Sequence, residues 1–143
     1  MPATILIIDD DELFSNTVSF VLEQSEHEVL TASSGVEGLE LARERRPDLV
    51  LCDVHMRNGH GYATAQALRE RPETKGVPIV MMTGNASPFG ESRSRISGAD
   101  YYLAKPFAVD ELMDVVRQAL TAKQSEAQRS HHVIFPSGPS RVS

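Results

Sequence analysis

The sequence predicts a doubly wound α/β fold, and three observations point to it. Short uninterrupted apolar runs recur along the chain. Segments with helical periodicity alternate with them. A polar or charged residue closes almost every run. Continuous apolar runs of four residues fit strands buried on both faces, as in parallel sheets. Strands that alternate with helices imply crossover connections and helices on both faces.

The first run is Ile5-Leu6-Ile7-Ile8. A helix follows, with Phe14, Val18, Val21 and Leu22 at helical spacing and Asp10 or Asp11 as its cap. The weaker run Val29-Leu30-Thr31-Ala32 is the second strand. Val36, Leu39 and Ala42 mark a second helix, which Arg46-Pro47 ends. Leu49-Val50-Leu51-Cys52 is the third strand, and residues 62–71 form a third helix stopped near Pro72. Ile79-Val80-Met81-Met82 is the fourth strand. Residues 85–98 hold Pro88, Gly90 and four serines, so only a short, weak helix is expected there. Tyr101-Tyr102-Leu103-Ala104 is the fifth strand, and its two tyrosines alternate across the sheet, so one ring is expected to point outward. Leu112, Val115, Val116, Ala119 and Leu120 form the clearest helical stripe.

The 143 residues suit one domain with a modest tail. Residues 4–123 are expected to fold, and residues 124–143 read as a flexible tail or linker. Within that tail, His131-His132-Val133-Ile134-Phe135 is an apolar patch able to dock on the domain or a partner. The single cysteine, Cys52, rules out an internal disulfide framework and reads as a buried strand thiol. That suits a reducing cytoplasm, the expected location. Neither a basic leader nor an apolar span is legible, so no membrane partner is expected. A net charge of −6 gives no basic footprint, so no direct nucleic-acid contact is expected either.

The chemistry gathers at strand ends. In open α/β sheets, active groups lie beyond the carboxyl ends of the strands. The first strand ends in Asp9-Asp10-Asp11, the third in Asp53, the fourth in Thr83-Gly84, and Lys105-Pro106 follows the fifth. A strand order of 2-1-3-4-5 would place Asp9, Asp10 and Asp53 in one pocket. Lys105 alone cannot neutralise three acids, whereas a divalent cation can. Oxygen-only ligation selects a hard ion such as Mg²⁺, or Mn²⁺ in its place. An Asp beside such an ion can act as the nucleophile in phosphoryl transfer.

With these residues in place, the chain resembles a response-regulator receiver domain of two-component, or phosphorelay, signalling. The resemblance covers residues 4–123. It rests on Ile7-Ile8-Asp9-Asp10-Asp11, Leu51-Cys52-Asp53-Val54-His55-Met56, Met82-Thr83-Gly84 and Lys105-Pro106-Phe107. Each motif is weak alone; together, in order, they are specific. The resemblance implies a flavodoxin-like sheet. It implies that Asp53 takes a phosphoryl group from a sensor histidine kinase or a histidine phosphotransfer protein. Asp10, Asp53 and the backbone carbonyl of His55 would bind the metal, with Asp9 acting through water. Lys105, the Thr83 hydroxyl and the Gly84 backbone would contact the phosphoryl oxygens. Thr83 and Tyr102 would be the switch pair, with Tyr101 a packing residue and Lys105-Pro106 a cis bond. The output face would comprise the weak helix, the fifth strand and the last helix. A phosphorylation-dependent dimer is a further assembly the resemblance allows.

Two positions depart from the family pattern. Arg57 stands where a proline is frequent, and His60 precedes Gly61 where an acid or amide is frequent. His55, two residues after Asp53, is placed to tune phosphoryl lifetime by gating water. Simpler readings exist for each site residue alone: an acidic helix cap, a strand-end turn, a solvated lysine. Their joint placement argues against them. An Asp-nucleophile phosphohydrolase is the competing class, since Asp9-Asp10-Asp11 superficially matches an Asp-x-Asp motif. Glu12 and Leu13 then stand where small or hydroxyl residues are usual, and the chain has no cap domain to enclose a substrate. The third class is a phosphorylation-independent adaptor, against which the complete acid, Thr and Lys set speaks. The main reading is therefore a switch that catalyses only its own phosphorylation and dephosphorylation.

Overall fold

The protein is described by a computed structural model that covers residues 2–57, 59–84 and 98–124. The expected weak helix at residues 85–98 lies outside these residues except for Gly98, and so does the tail with its 131–135 patch.

Strand β1 (Thr4–Ile8) leads into helix α1 (Glu12–Gln24), then β2 (Glu28–Ala32) and α2 (Gly35–Arg45). Strand β3 (Leu49–Asp53) is followed by two short strands, β4 (His55–Met56) and β5 (Gly59–His60), and by α3 (Gly61–Glu70). Strands β6 (Ile79–Thr83) and β7 (Tyr101–Ala104) and helix α4 (Val109–Gln124) complete the described elements. The main sheet runs β2-β1-β3-β6-β7, with every pairing parallel. Leaving aside the two-residue strands, this is the expected order 2-1-3-4-5. The antiparallel β4–β5 pair, with His55 opposite His60 and Met56 opposite Gly59, was not expected from the sequence.

Local chemistry fixes the helix ends. The Asp11 carboxylate caps α1 by accepting the Phe14 N–H at 3.1 Å, which decides between the two candidate caps. Ser34 caps α2, and Glu37 reaches back to the Ser33 N–H at 2.8 Å. Arg46 closes α2 in a left-handed conformation, φ 47°, just before Pro47.

Side chains alternate across the sheet and so build two cores. Ile5, Ile7, Leu49, Leu51, Val80, Met82 and Leu103 meet Val18 and Leu22 of α1 and Leu112, Val115, Val116 and Ala119 of α4. Leu6, Ile8, Val50, Cys52, Ile79 and Met81 meet Ala42 of α2 and Ala65 and Leu68 of α3. At the opposite end from the strand-end acids, Arg69 fastens the start of β6 to the entry of β7. It donates to the Gly98 carbonyl at 2.8 Å and to Asp100 at 2.6 Å, and Asp100 also accepts the Ile79 N–H at 2.9 Å. Among the described residues, no helix is long and apolar enough to cross a membrane.

The doubly buried strands set the expected pattern of mutational sensitivity. Ile7 is wholly buried, so Ile7→Ala removes packing on a face that cannot fully collapse and costs about 3 kcal/mol. Phe20 is 63% exposed, and Phe20→Ala changes stability by no more than about 0.5 kcal/mol. Urea unfolding of the two variants checks this contrast.

Candidate functional site

The register of the sheet carries the strand-end residues to one place. Ile8 of β1 pairs with Cys52 of β3, so the next residues, Asp9 and Asp53, are neighbours on adjacent strands. Asp9 continues the row of Ile5 and Ile7, and Asp53 the row of Leu49 and Leu51. Both acids therefore rise from the edge of the core shared by α1 and α4. They are 2% and 5% exposed, a depth at which unpaired carboxylates are costly. Asp10, the next residue, is also close. One carboxylate oxygen from each of Asp9, Asp10 and Asp53 lies within 4.8 Å of the others.

Lys105 supplies the opposing charge. Its ammonium stands 3.0 Å from Asp9 Oδ2 and 3.0 Å from Asp53 Oδ1. Its backbone N–H donates to the Thr83 carbonyl at 2.6 Å, which ties β7 to β6 at the level of the site. The Lys105–Pro106 bond is cis, as expected. The Phe14 ring lies under the ammonium, 4.0 Å from centroid to nitrogen, and Phe107 meets that ring edge-on at 5.7 Å. Phe14 reads in the sequence as core alone; its second role as a platform for Lys105 follows only from the fold.

Burial raises the Asp53 pKa above the ordinary carboxylate range, and the charge of Asp9 pushes the same way, against the opposing pull of Lys105. Burial works against the Lys105 ammonium, yet its bonds to Asp9 and Asp53 outweigh that and lift its pKa. Lys105 thus remains a cation, and Asp53 holds its negative charge at some cost. The Cys52 thiol, fully buried beside these acids, is pushed far up and stays protonated and inert.

Around this centre the other expected residues take different places. Thr83 ends β6 and is 2% exposed, in the row of Ile79 and Met81 on the opposite face from Asp53. Gly84 is exposed, and a Cβ there would meet nothing within 4 Å, so this conformation makes no steric demand for glycine. Tyr101 and Tyr102 were expected to split into one inward and one outward ring. They alternate, but both are buried, at 3% and 5%, and Tyr101 joins the core shared by α1 and α4. The Tyr101 hydroxyl donates to the Gln118 carbonyl of α4 at 3.3 Å, which fits packing. His55 is exposed and lines an open depression with Asp10, Asp11, Glu12, Leu13, Met56 and Arg57.

Two further residues were not legible from spacing. Arg57 donates its backbone N–H to Asp10 Oδ2 at 2.7 Å and its Nε at 3.3 Å. Gly61 packs directly on β3: a Cβ there would collide with the Asp53 carbonyl oxygen. The Gly61 N–H in turn donates to the Val54 carbonyl at 2.9 Å. The first turn of α3 thereby fixes the backbone that carries Asp53.

The family model for the response regulator receiver domain matches residues 5–117. The chain belongs to this family. Receiver domains are signalling switches, and relatives agree with that assignment. The polar-differentiation response regulator DivK of Brucella anthropi is 31% identical over 120 residues, covering 84% of this chain and 98% of DivK. The DNA-binding dual master transcriptional regulator RpaA of Synechocystis is 36% identical over 136 residues; the match covers 94% of this chain but 56% of RpaA. Among solved structures, the chemotaxis protein CheY4 of Vibrio cholerae superposes with a TM-score of 0.80 at 32% identity, covering 84% of this chain and all of CheY4. In this receiver domain the acidic cluster is chemically fit for a hard divalent cation: three carboxylates converge and a single ammonium faces two of them.

The raised Asp53 pKa has a consequence for stability. A carboxyl group whose folded pKa exceeds its unfolded value favours the fold at low pH, and that contribution is lost as pH rises through the folded pKa. Ionised Asp53 therefore costs stability at neutral pH. With divalent cations chelated, Asp53→Asn melts above the wild type at pH 7, and the gap closes as pH falls below the ordinary carboxylate range. Melting curves across pH check this; an Asn variant less stable than wild type at pH 7 contradicts it.

Proposed function

We propose that Asp53 accepts a phosphoryl group from a phosphohistidine on a sensor histidine kinase or a histidine phosphotransfer protein, and that this modification switches the output face. The observation that carries the reading is the placement of one ammonium 3.0 Å from both Asp9 and Asp53 inside a cluster of three carboxylates. In that arrangement an Asp53 oxygen forms a bond to phosphorus as the bond from phosphorus to the donor nitrogen breaks. Lys105 already stands 3.0 Å from the Asp53 carboxylate and from there would contact the transferred phosphoryl oxygens.

Asp10, Asp53 and the His55 carbonyl would hold Mg²⁺ or Mn²⁺, and Asp9 would contribute through water. When bound, the cation supplies positive charge to the phosphoryl oxygens. Asp9 has a second duty, because its Oδ1 accepts the Asp11 N–H at 2.9 Å and so sets the turn that carries Asp10. Thr83 lies one residue beyond Met82, the register partner of Asp53. Its hydroxyl reaches the phosphoryl group by a local movement, and the Gly84 N–H follows on the same loop. Tyr102, already buried, reports that movement as the switch residue. The exposed His55 side chain regulates water access and hence the lifetime of the acyl phosphate.

Residues 4–123 form the receiver and residues 124–143 a tail or linker. The protein works in the cytoplasm and is not a turnover enzyme: its chemistry is limited to its own phosphorylation and dephosphorylation. The downstream partner docks on the side of β7 and α4, where a phosphorylation-dependent dimer would also form.

Incubation with acetyl phosphate and Mg²⁺, read by intact mass, tests this. Wild type gains one phosphoryl group, removal of the cation suppresses the gain, and Asp53→Asn abolishes it. Labelling of Asp53→Asn at the wild-type level would place the acceptor elsewhere. A wild type that labels from neither acetyl phosphate nor a histidine-phosphorylated donor would support the adaptor reading instead.

A further inference from the structure

We propose that Arg57 is a resident counter-ion of Asp10 that sets how much divalent cation the site needs before it fills. This inference rests on the reading that Asp9, Asp10 and Asp53 take such a cation. Within the cluster the two resident cations divide the acids between them. Lys105 bonds Asp9 and Asp53. Arg57 bonds Asp10, through its backbone N–H at 2.7 Å and its Nε at 3.3 Å, both on the same oxygen, Oδ2.

The two contacts differ in kind. The backbone N–H bond is short and survives any replacement of Arg57 except proline, which carries no N–H, so it orients Asp10 without adding charge. The guanidinium adds charge and is free to leave. Its side chain is 83% exposed while that of Asp10 is 19% exposed, so the ion pair sits at the mouth of the site. Exposed pairs of this kind are weak and open readily. A cation arriving at Asp10 meets a positive charge already on that carboxylate. It must displace the guanidinium or bind beside it, and either lowers its affinity. The other titratable groups lining this depression, Asp11, Glu12 and His55, remain when Arg57 is replaced. Arg57 is thus a positioning residue: it acts on the cation through Asp10.

Mn²⁺ binding followed by electron paramagnetic resonance, with Mg²⁺ titration calorimetry beside it, tests the proposal without any phosphorylation assay. The proteins are the full-length wild type, Arg57→Ala, Arg57→Lys and Asp10→Asn. Arg57→Ala should bind about three- to fivefold more tightly, the range an exposed ion pair supports. Arg57→Lys, which keeps the charge, should stay near wild type. The gap between Ala and wild type should shrink as salt screens it. Arg57→Ala that binds as wild type or more weakly, while Asp10→Asn loses affinity, overturns the role of Arg57 and leaves the metal reading intact. Wild type and Asp10→Asn that bind alike, or not at all, overturn the metal reading and this proposal with it.

Discussion

One lysine is asked to stand between two buried carboxylates. Its ammonium lies 3.0 Å from each of Asp9 and Asp53, and both acids are nearly closed off from solvent. Without it, two like charges on adjacent strands would be held at the edge of an apolar core, an arrangement that costs far more than a surface pair. Much of the surrounding structure can be read as support for that contact. The Phe14 ring lies under the ammonium, Phe107 braces the ring, and the Thr83 carbonyl holds the backbone of Lys105. The compensation is incomplete, since burial still raises the Asp53 pKa. A carboxylate that is costly to keep ionised, beside a fixed cation, suits the proposed acceptor role, in which its charge spreads onto a phosphoryl group.

The sheet makes this contact between residues far apart in sequence. Parallel pairing of β1 with β3 places Asp9 against Asp53, and pairing of β3 with β6 and β6 with β7 brings Lys105 over from the edge strand. Helix packing then sets the fine position. Gly61 lets α3 rest on the Asp53 carbonyl, and Asp11 ends the β1 loop as the cap of α1. A fold of this kind concentrates its polar groups at one end because only the strand ends escape the two cores.

That division explains what the sequence made legible. Strands buried on both faces must be written as continuous apolar runs, so β1, β3 and β6 announce themselves, and the residues that break each run gather at the candidate site. Asp9, Asp10, Asp53, Thr83 and Lys105 could be found this way, and the family motifs put them in order. The β4–β5 pair could not, because two-residue strands carry no periodicity. Gly61 looks like any loop glycine until α3 is seen packed on the Asp53 backbone. Arg57 is 47 residues from Asp10, and nothing in its local sequence marks the pairing. Strand alternation alone places one of Tyr101 and Tyr102 in solvent. Alternation held, but the second ring is buried as well: Tyr101 joins the core shared by α1 and α4, and Tyr102 is 5% exposed.

The central claim is that Lys105 does two separable things: it offsets the charge of the acids, and it contacts the phosphoryl group. Replacing it with Gln removes a positive charge from a carboxylate cluster, so a divalent cation should bind more tightly. The same change removes a phosphoryl contact, so phosphorylation from a small phosphodonor should fall sharply. Magnesium affinity and phosphorylation rate, measured side by side on wild type and Lys105→Gln, test this directly. Tighter cation binding with slower phosphorylation is the result the account predicts. Weaker cation binding, or phosphorylation at the wild-type rate, would contradict it.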